Sequence, residues 1–186
     1  MKTLLFLTLV LPCITFAEEA KTYLQTGVIF MGRNFEEATA SNTNDGIESL
    51  EGGFSLGTGH RFTHNFAVEA ELIQSMGFEV QNAGRTGEIS MYALTIAPVY
   101  IFKPSFLPEQ MELFAKFRIG YTKMQGTDIL GNNGKEDSIT GGMGFGVTYK
   151  FNESWSGLID LGGLWADDDI EDYDFHPWQV GIRFHF

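Results

Sequence analysis

Residues 142–151 read Gly-Met-Gly-Phe-Gly-Val-Thr-Tyr-Lys-Phe. Met143, Phe145, Val147, Tyr149 and Phe151 share one parity, and Gly142, Gly144, Gly146, Thr148 and Lys150 share the other. Successive side chains of a strand point to opposite faces, so this stretch predicts a strand with one bulky apolar face and one small or polar face. The period of two recurs from Tyr23 onward. Leu24, Thr26, Val28 and Phe30 oppose Gln25, Gly27, Ile29, Met31 and Arg33; Leu50, Phe54, Leu56 and Thr58 oppose Glu51, Gly53, Ser55, Gly57 and Gly59. A third segment sets Phe66, Val68, Ala70 and Leu72 against Ala67, Glu69, Glu71 and Ser75. The fourth, residues 90–102, is apolar on both faces, with Tyr92, Leu94, Ile96 and Tyr100 the bulkier set. The fifth alternates Leu113, Ala115, Phe117, Ile119 and Tyr121 with Glu112, Phe114, Lys116, Arg118, Gly120 and Thr122. After the opening stretch, the sixth in order, a seventh sets Trp155, Gly157, Ile159, Leu161 and Trp165 against Ser156, Leu158, Asp160 and Gly162. The eighth sets Trp178, Val180, Ile182, Phe184 and Phe186 against Gln179, Gly181, Arg183 and His185.

A soluble sandwich or lipocalin-like barrel also alternates, with its apolar side chains inside. Here the apolar set is large and aromatic, while the other set mixes glycine with both signs of charge. A narrow barrel interior accommodates small residues and paired charges better than a full ring of aromatics, which places Phe, Leu and Trp against lipid. Only helices or closed barrels satisfy every backbone group in lipid. Eight segments, each close to the 9–11 residues that carry a tilted strand across the hydrocarbon layer, therefore predict an all-β fold: an eight-stranded antiparallel transmembrane β-barrel.

The connections are predicted to alternate as well. Long polar loops at 34–48, 76–87, 125–137 and 166–176 lie between tight turns at 62–65 and 152–154 and a longer turn at 103–110 that carries Pro104 and Pro108. No second domain is expected.

The amino terminus reads as a secretory signal over residues 1–17: Lys2, an apolar run through Ile14, then Thr15-Phe16-Ala17 before Glu18-Glu19. Residues 18–186 would then form the barrel domain. Cys13 falls inside the signal, with Pro12 where a lipoprotein needs a small residue, so the exported chain would carry no cysteine and no disulfide. Without Lys2, 11 basic residues face 24 acidic ones, a balance of −13, which argues against nucleic acid or a polyanion as partner.

The terminal octet Gln179-Val180-Gly181-Ile182-Arg183-Phe184-His185-Phe186 resembles the carboxy-terminal assembly signal of outer-membrane barrels, with Gln179, Gly181, Phe184 and Phe186 at its marked positions. Together with residues 145–151 and the turn at 61–68, it makes the chain similar to the OmpA-like and OmpX-like small outer-membrane barrels. That resemblance implies residence in the outer membrane of a Gram-negative cell. It also implies contact with lipid, lipopolysaccharide and the barrel-assembly machinery, and outward loops free to meet a host or surface ligand. The chain stops at Phe186, so the peptidoglycan-binding domain that follows the barrel in OmpA has no counterpart and periplasmic anchoring is not expected.

Alternation places Glu51, Glu69, Glu71, Glu112 and Asp160 on the inward face with Lys116, Arg118 and Arg183, and sets Arg33, Arg61 and Lys150 nearer the ends. Unpaired buried charge costs several kcal/mol per ion, which predicts an ion-pair network filling the lumen. The functional alternative is a gated pore in which Glu69 or Glu71 exchanges partners with Lys116 or Arg118. Acid/base catalysis by Glu69 and Glu71 is disfavoured, because both sit among basic residues rather than in an apolar cleft.

Lipid A deacylases of this size carry a His-x-Ser pair, and none of His60, His64, His176 and His185 has a serine two residues on. These histidines are also too scattered for metal ligation, and no cofactor is expected. The run from Asp167 to Asp174 lacks the glycine and spaced oxygens of a calcium loop; it reads as a solvated acidic tip, with weak divalent-cation or basic-partner binding as the alternative. Residues 141–144, rich in glycine, make room within a strand and are not a phosphate loop. The function expected is therefore a non-enzymatic surface protein for ligand contact and envelope integrity. A narrow channel is the alternative, and a lipid A-modifying enzyme the weaker one.

Overall fold

The computed structural model describes residues 21–34, 51–82, 85–127, 133–166 and 174–186. Their strands are β1 (Lys21–Asn34), β2 (Glu51–Thr63), β3 (Phe66–Ser75), β4 (Phe78–Asn82), β5 (Arg85–Phe102), β6 (Met111–Thr127), β7 (Asn133–Lys150), β8 (Trp155–Ala166) and β9 (Asp174–His185). Every pairing is antiparallel. The order runs β3-β2-β1-β9-β8-β7-β6-β5, and β3 also pairs with β5, so the sheet closes on itself.

β3 and β4 are two lengths of one wall strand. β3 pairs with β5 up to Gln74↔Tyr92 and β4 resumes at Phe78↔Ile89, so residues 75–77 oppose only 90–91. This is a bulge, and Gly77 makes it with φ 102°, a conformation that glycine adopts without Cβ strain. The Ser75 hydroxyl accepts the Met91 N–H at 2.8 Å, which replaces a ladder bond there. The barrel thus has eight walls, and closure leaves no free edge in the lipid.

The parity of each strand sorts lipid from lumen. Leu94, Ile96, Ile119, Met143 and Phe145 stand exposed on the outer surface, whereas Thr95, Val99, Phe114, Lys116 and Arg118 are buried within. In β5 the bulkier set faces out and Ala93, Thr95, Ala97 and Val99 face in. A one-residue slip would turn Lys116 and Arg118 to the lipid, at about 2–4 kcal/mol for each near the midplane.

Lys21 and Phe186 and the turns at 63–66, 103–110 and 151–154 lie at one end of the barrel, opposite the hairpin that closes at Asn82↔Arg85. Barrels of this kind keep short turns on the periplasmic side, which orients the molecule. Asn152 builds one turn by accepting the N–H groups of Ser154 and Trp155, both at 2.9 Å, with its side-chain oxygen. The turn at 103–110 is held by Leu107 N–H to the Pro104 carbonyl at 3.1 Å and by the Lys103 ammonium to the Glu109 carbonyl at 2.6 Å.

The expected loop bounds need correction. Much of the loop expected at 76–87 is strand, since β4 and the start of β5 form a hairpin through Asn82↔Arg85. Likewise β6 and β7 stay paired to Thr127↔Asn133, and β9 begins at Asp174 rather than after residue 176. The backbone ladder continues past the bilayer, where water bathes both faces and nothing demands an apolar side, so the alternation fades before the strand does. Proline also stands within the strands. Pro98 lies within β5 and Pro177 within β9. Each interrupts one ladder: β5–β6 skips from Ile96↔Ile119 to Val99↔Lys116, and β8–β9 from Leu161↔Trp178 to Leu164↔Phe175. The acidic run at 167–173, the loop 35–50 and residues 1–20 lie outside the described residues.

Candidate functional site

Inward residues of five strands converge at mid-barrel. β3 supplies Glu69 and Glu71, β6 Lys116 and Arg118, β8 Asp160, β9 Arg183, and β1 Tyr23 and Gln25; all are buried. Lys116 Nζ stands 2.6 Å from Asp160, 3.1 Å from Glu69 and 3.6 Å from Glu71. Arg118 reaches Asp160 at 2.5 Å and Glu71 at 3.6 Å. Arg183 reaches Glu69 at 2.6 Å and donates to Gln25 at 2.9 Å, and the Tyr23 hydroxyl donates to Glu69 at 2.7 Å. Three carboxylates thus meet three cations, so the cluster is formally neutral and no member is buried without a countercharge.

Glycine makes this packing fit. A Cβ on Gly144 would lie 2.6 Å from an Arg118 nitrogen and 2.8 Å from Asp160, and one on Gly162 would lie 2.7 Å from the same Arg118 nitrogen. One on Gly59 would enter the Tyr23 ring. Arg118 and Tyr23 therefore each lie across neighbours that have no side chain.

Two further layers flank the cluster. Toward the extracellular end, Ile29, Ile73, Met91, Met124 and Leu164 fill the lumen, with Thr140 bonded to Thr122 at 2.5 Å. On the periplasmic side, Ala67, Val99, Ile101 and Phe114 form an apolar floor, and the Arg183 guanidinium sits 5.3 Å from the Phe114 ring centre. Below that floor lies a second, separate charge group. Glu112 accepts Arg61 at 3.0 Å and Lys150 at 3.1 Å, and it makes no ion pair with the mid-barrel residues. Nearby, Ser156 Oγ and His185 Nε2 stand 2.9 Å apart across β8 and β9.

Of the residues expected in the lumen, Glu69, Glu71, Lys116, Arg118, Asp160 and Arg183 come together, and Glu112 does not join them. Glu51 begins β2 opposite Met31, but its side chain lies outside the described residues. Tyr23, Gln25 and the Ser156–His185 contact were not singled out, although Tyr23 and Gln25 share the inward parity of β1. The Ser–His contact is made across two strands and leaves no signal at short spacing. At the carboxy terminus, Gln179 is buried and donates to Ser55 at 2.5 Å, and Gly181 pairs with Gly27. Phe184 packs on Trp155 with centroids 4.9 Å apart, and Phe186 is 68% exposed. Among the described residues no group of His, Cys, Asp or Glu is placed to hold a metal ion.

A closed antiparallel barrel, apolar outside and ion-paired inside, defines an integral protein of the outer membrane. The chain belongs to the outer membrane protein beta-barrel domain family, whose model matches residues 3–186. No curated protein sequence matches it. Among solved structures it is similar to Ail of Yersinia pestis, crystallised with the heparin analogue sucrose octasulfate: 18% identity, TM-score 0.59, 90% of this chain and 99% of that one. It is also similar to Neisserial surface protein A, at 14% identity and TM-score 0.66, covering 89% and 97% of the two chains. OprG of Pseudomonas aeruginosa gives 13% identity and TM-score 0.55 over 90% and 96%. At these identities the likeness concerns the fold.

Proposed function

We propose that this barrel is a non-enzymatic surface scaffold that holds acidic segments outside the cell for contact with a cationic partner, and that it contributes to envelope integrity. The observation that carries the reading is the filling of the lumen at successive levels, by the neutral ion cluster and by the Phe114 floor. A filled lumen favours display over passage. Of the four segments joining strands at the extracellular end, 35–50, 128–132 and 167–173 contain acidic residues, 83–84 is Ala-Gly, and none carries Lys or Arg. Such a rim attracts basic ligands and repels anions. The sulfated ligand in the Ail crystal is for that reason not carried over.

The test uses the mature chain refolded into lipid. It should give no steady current in a planar bilayer, should bind immobilised oligolysine, and should fail to bind heparin. Replacing Asp167, Asp168 and Asp169 together by Asn should weaken oligolysine binding. Heparin binding, or oligolysine binding indifferent to that change, would overturn the reading. A narrow ion channel is the second reading, favoured by Lys116, which has three carboxylates within 3.6 Å and so can change partners with little movement. Steady unitary current that changes with Lys116→Met would support it.

A further inference from the structure

The periplasmic mouth contains a cavity of about 440 Å³ that the loop-display function does not use. Its entrance carries Arg61 and Lys150, and its inner wall carries Arg183, His185 and Ser156 over a base of Phe114. We propose that this vestibule binds a small oxyanion, a carboxylate or a phosphate, with its charged head at the Lys150 ammonium and in the field of Arg61.

The charges decide the sign of the ligand. Arg61 and Lys150 share one carboxylate, Glu112, at 3.0 and 3.1 Å, so that trio holds one positive charge in excess. Arg183 is matched by Glu69 in the neutral cluster above. Lys21 and Glu153, of opposite sign, complete the charged lining and cancel. A chain with a net charge of −12 thus concentrates a positive surplus in one concave, partly dry place. Charge in such a cleft attracts counterions more strongly than on an open surface, because low-dielectric walls focus its field. The Arg61 fork is taken up by the two Glu112 oxygens and by the Thr63 and His64 carbonyls, so Arg61 contributes its charge, whereas Lys150, half-exposed at the rim, supplies a movable ammonium that can turn to a ligand. The volume falls at the lower end of small-molecule sites, which suits a compact anion or the anionic end of a longer chain. Facing the periplasm, the ligand could be a dissolved anion or the free carboxylate of a cell-wall peptide.

The experiment follows backbone amide resonances of the refolded mature chain in zwitterionic micelles during titration with inorganic phosphate and, separately, with a soluble disaccharide-tetrapeptide fragment of peptidoglycan. Saturable shifts at Tyr23, Ser156 and His185, with none at Ile73 or Met91 in the extracellular half, are expected. Lys150→Gln removes the surplus charge while keeping the Arg61–Glu112 pair, and should weaken binding at least tenfold. Lys103→Gln, on the turn outside the vestibule, should leave it unchanged. If the peptidoglycan fragment binds at least tenfold more tightly than phosphate, the ligand is the cell-wall carboxylate; comparable affinities assign a general small-anion site. Linear, unsaturating shifts with both probes overturn the proposal, as does equal weakening by Lys150→Gln and Lys103→Gln. Should Lys150→Gln fail to fold, localised and saturable shifts in the parent chain still decide the matter.

Discussion

Arg118 and Asp160 meet 2.5 Å apart directly over the ladder pair Gly144 and Gly162. An Arg118 nitrogen lies 2.6 and 2.7 Å from where the two missing Cβ atoms would be, so the ion pair occupies the space that the glycines leave. Gly144→Val should therefore displace the guanidinium as well as overfill the lumen. Overpacking of this kind costs about 1–3 kcal/mol, to be read from urea unfolding in lipid vesicles. At Gly52, by contrast, a Cβ would meet only the Met76 sulfur, at 3.8 Å. Gly52→Ala should leave the unfolding midpoint within error, and equal destabilisation by the two changes would contradict this account of the inward glycines.

The same pair should be strongly coupled. Arg118→Leu leaves Asp160 with Lys116 alone and Glu71 with one cation fewer, inside a wall that admits little water. Removing one partner of a buried ion pair typically costs about 3–5 kcal/mol, and replacing both by apolar residues costs far less. The double variant Arg118→Leu with Asp160→Leu should thus be less destabilised than the sum of the single changes. Strict additivity in the double-mutant cycle would refute the pairing.

Pro177 points to a stabilising change. The β1–β9 ladder runs unbroken through Met31↔Pro177, whereas β8–β9 is interrupted opposite Gly162, so the proline nitrogen faces β8 and offers no N–H there. An unsatisfied amide in apolar surroundings costs about 1–3 kcal/mol. Proline returns about 0.4–1 kcal/mol by stiffening the unfolded chain. Pro177→Val, close in volume, should raise stability by on the order of 1 kcal/mol. An unchanged or lower urea midpoint would show that the Gly162 carbonyl already has a donor.

How much of this was legible depended on where the bilayer imposes a pattern. β7 was readable because the membrane requires Met143, Phe145 and Val147 to be apolar while the narrow lumen requires Gly142, Gly144 and Gly146 to be small. In β5 both faces are apolar, since Ala93, Ala97 and Val99 line the lumen beside other strands' charges, and parity alone could not separate them. β4 was hidden because its residues extend beyond the hydrocarbon layer, where the twofold pattern loses its cause. For the charge cluster, parity gave the inward set, but height along the axis depends on the stagger between strands, which a single sequence does not carry. Glu112 shares a face with Lys116 and Arg118 and yet sits below the Phe114 floor with Arg61 and Lys150. Pairing across β8 and β9, as between Ser156 and His185, likewise depends on register.

The terminal phenylalanine separates assembly from stability. Phe186 holds its place through its backbone, whose N–H donates to the Thr22 carbonyl at 3.0 Å, while its ring is 68% exposed and touches Phe184 edge-on at 5.0 Å. Cutting the side chain back to Ala keeps that hydrogen bond, leaves no buried cavity and forfeits mainly one aromatic contact, worth about 0.5–1.5 kcal/mol. Folding of Phe186→Ala into detergent should therefore proceed, with heat-modifiable migration like that of the parent. Within cells the ring has a second role if, as the terminal octet suggests, it is read by the assembly machinery before the barrel closes. The amount of heat-modifiable barrel in the outer membrane should then fall several-fold, and unfolded precursor should collect in the periplasm. Equal surface levels of Phe186→Ala and parent would remove the recognition role and reduce Phe186 to a lipid-facing residue like Trp178. If folding failed equally in detergent and in cells, Phe186 would instead be part of the packing that closes β9 onto β1.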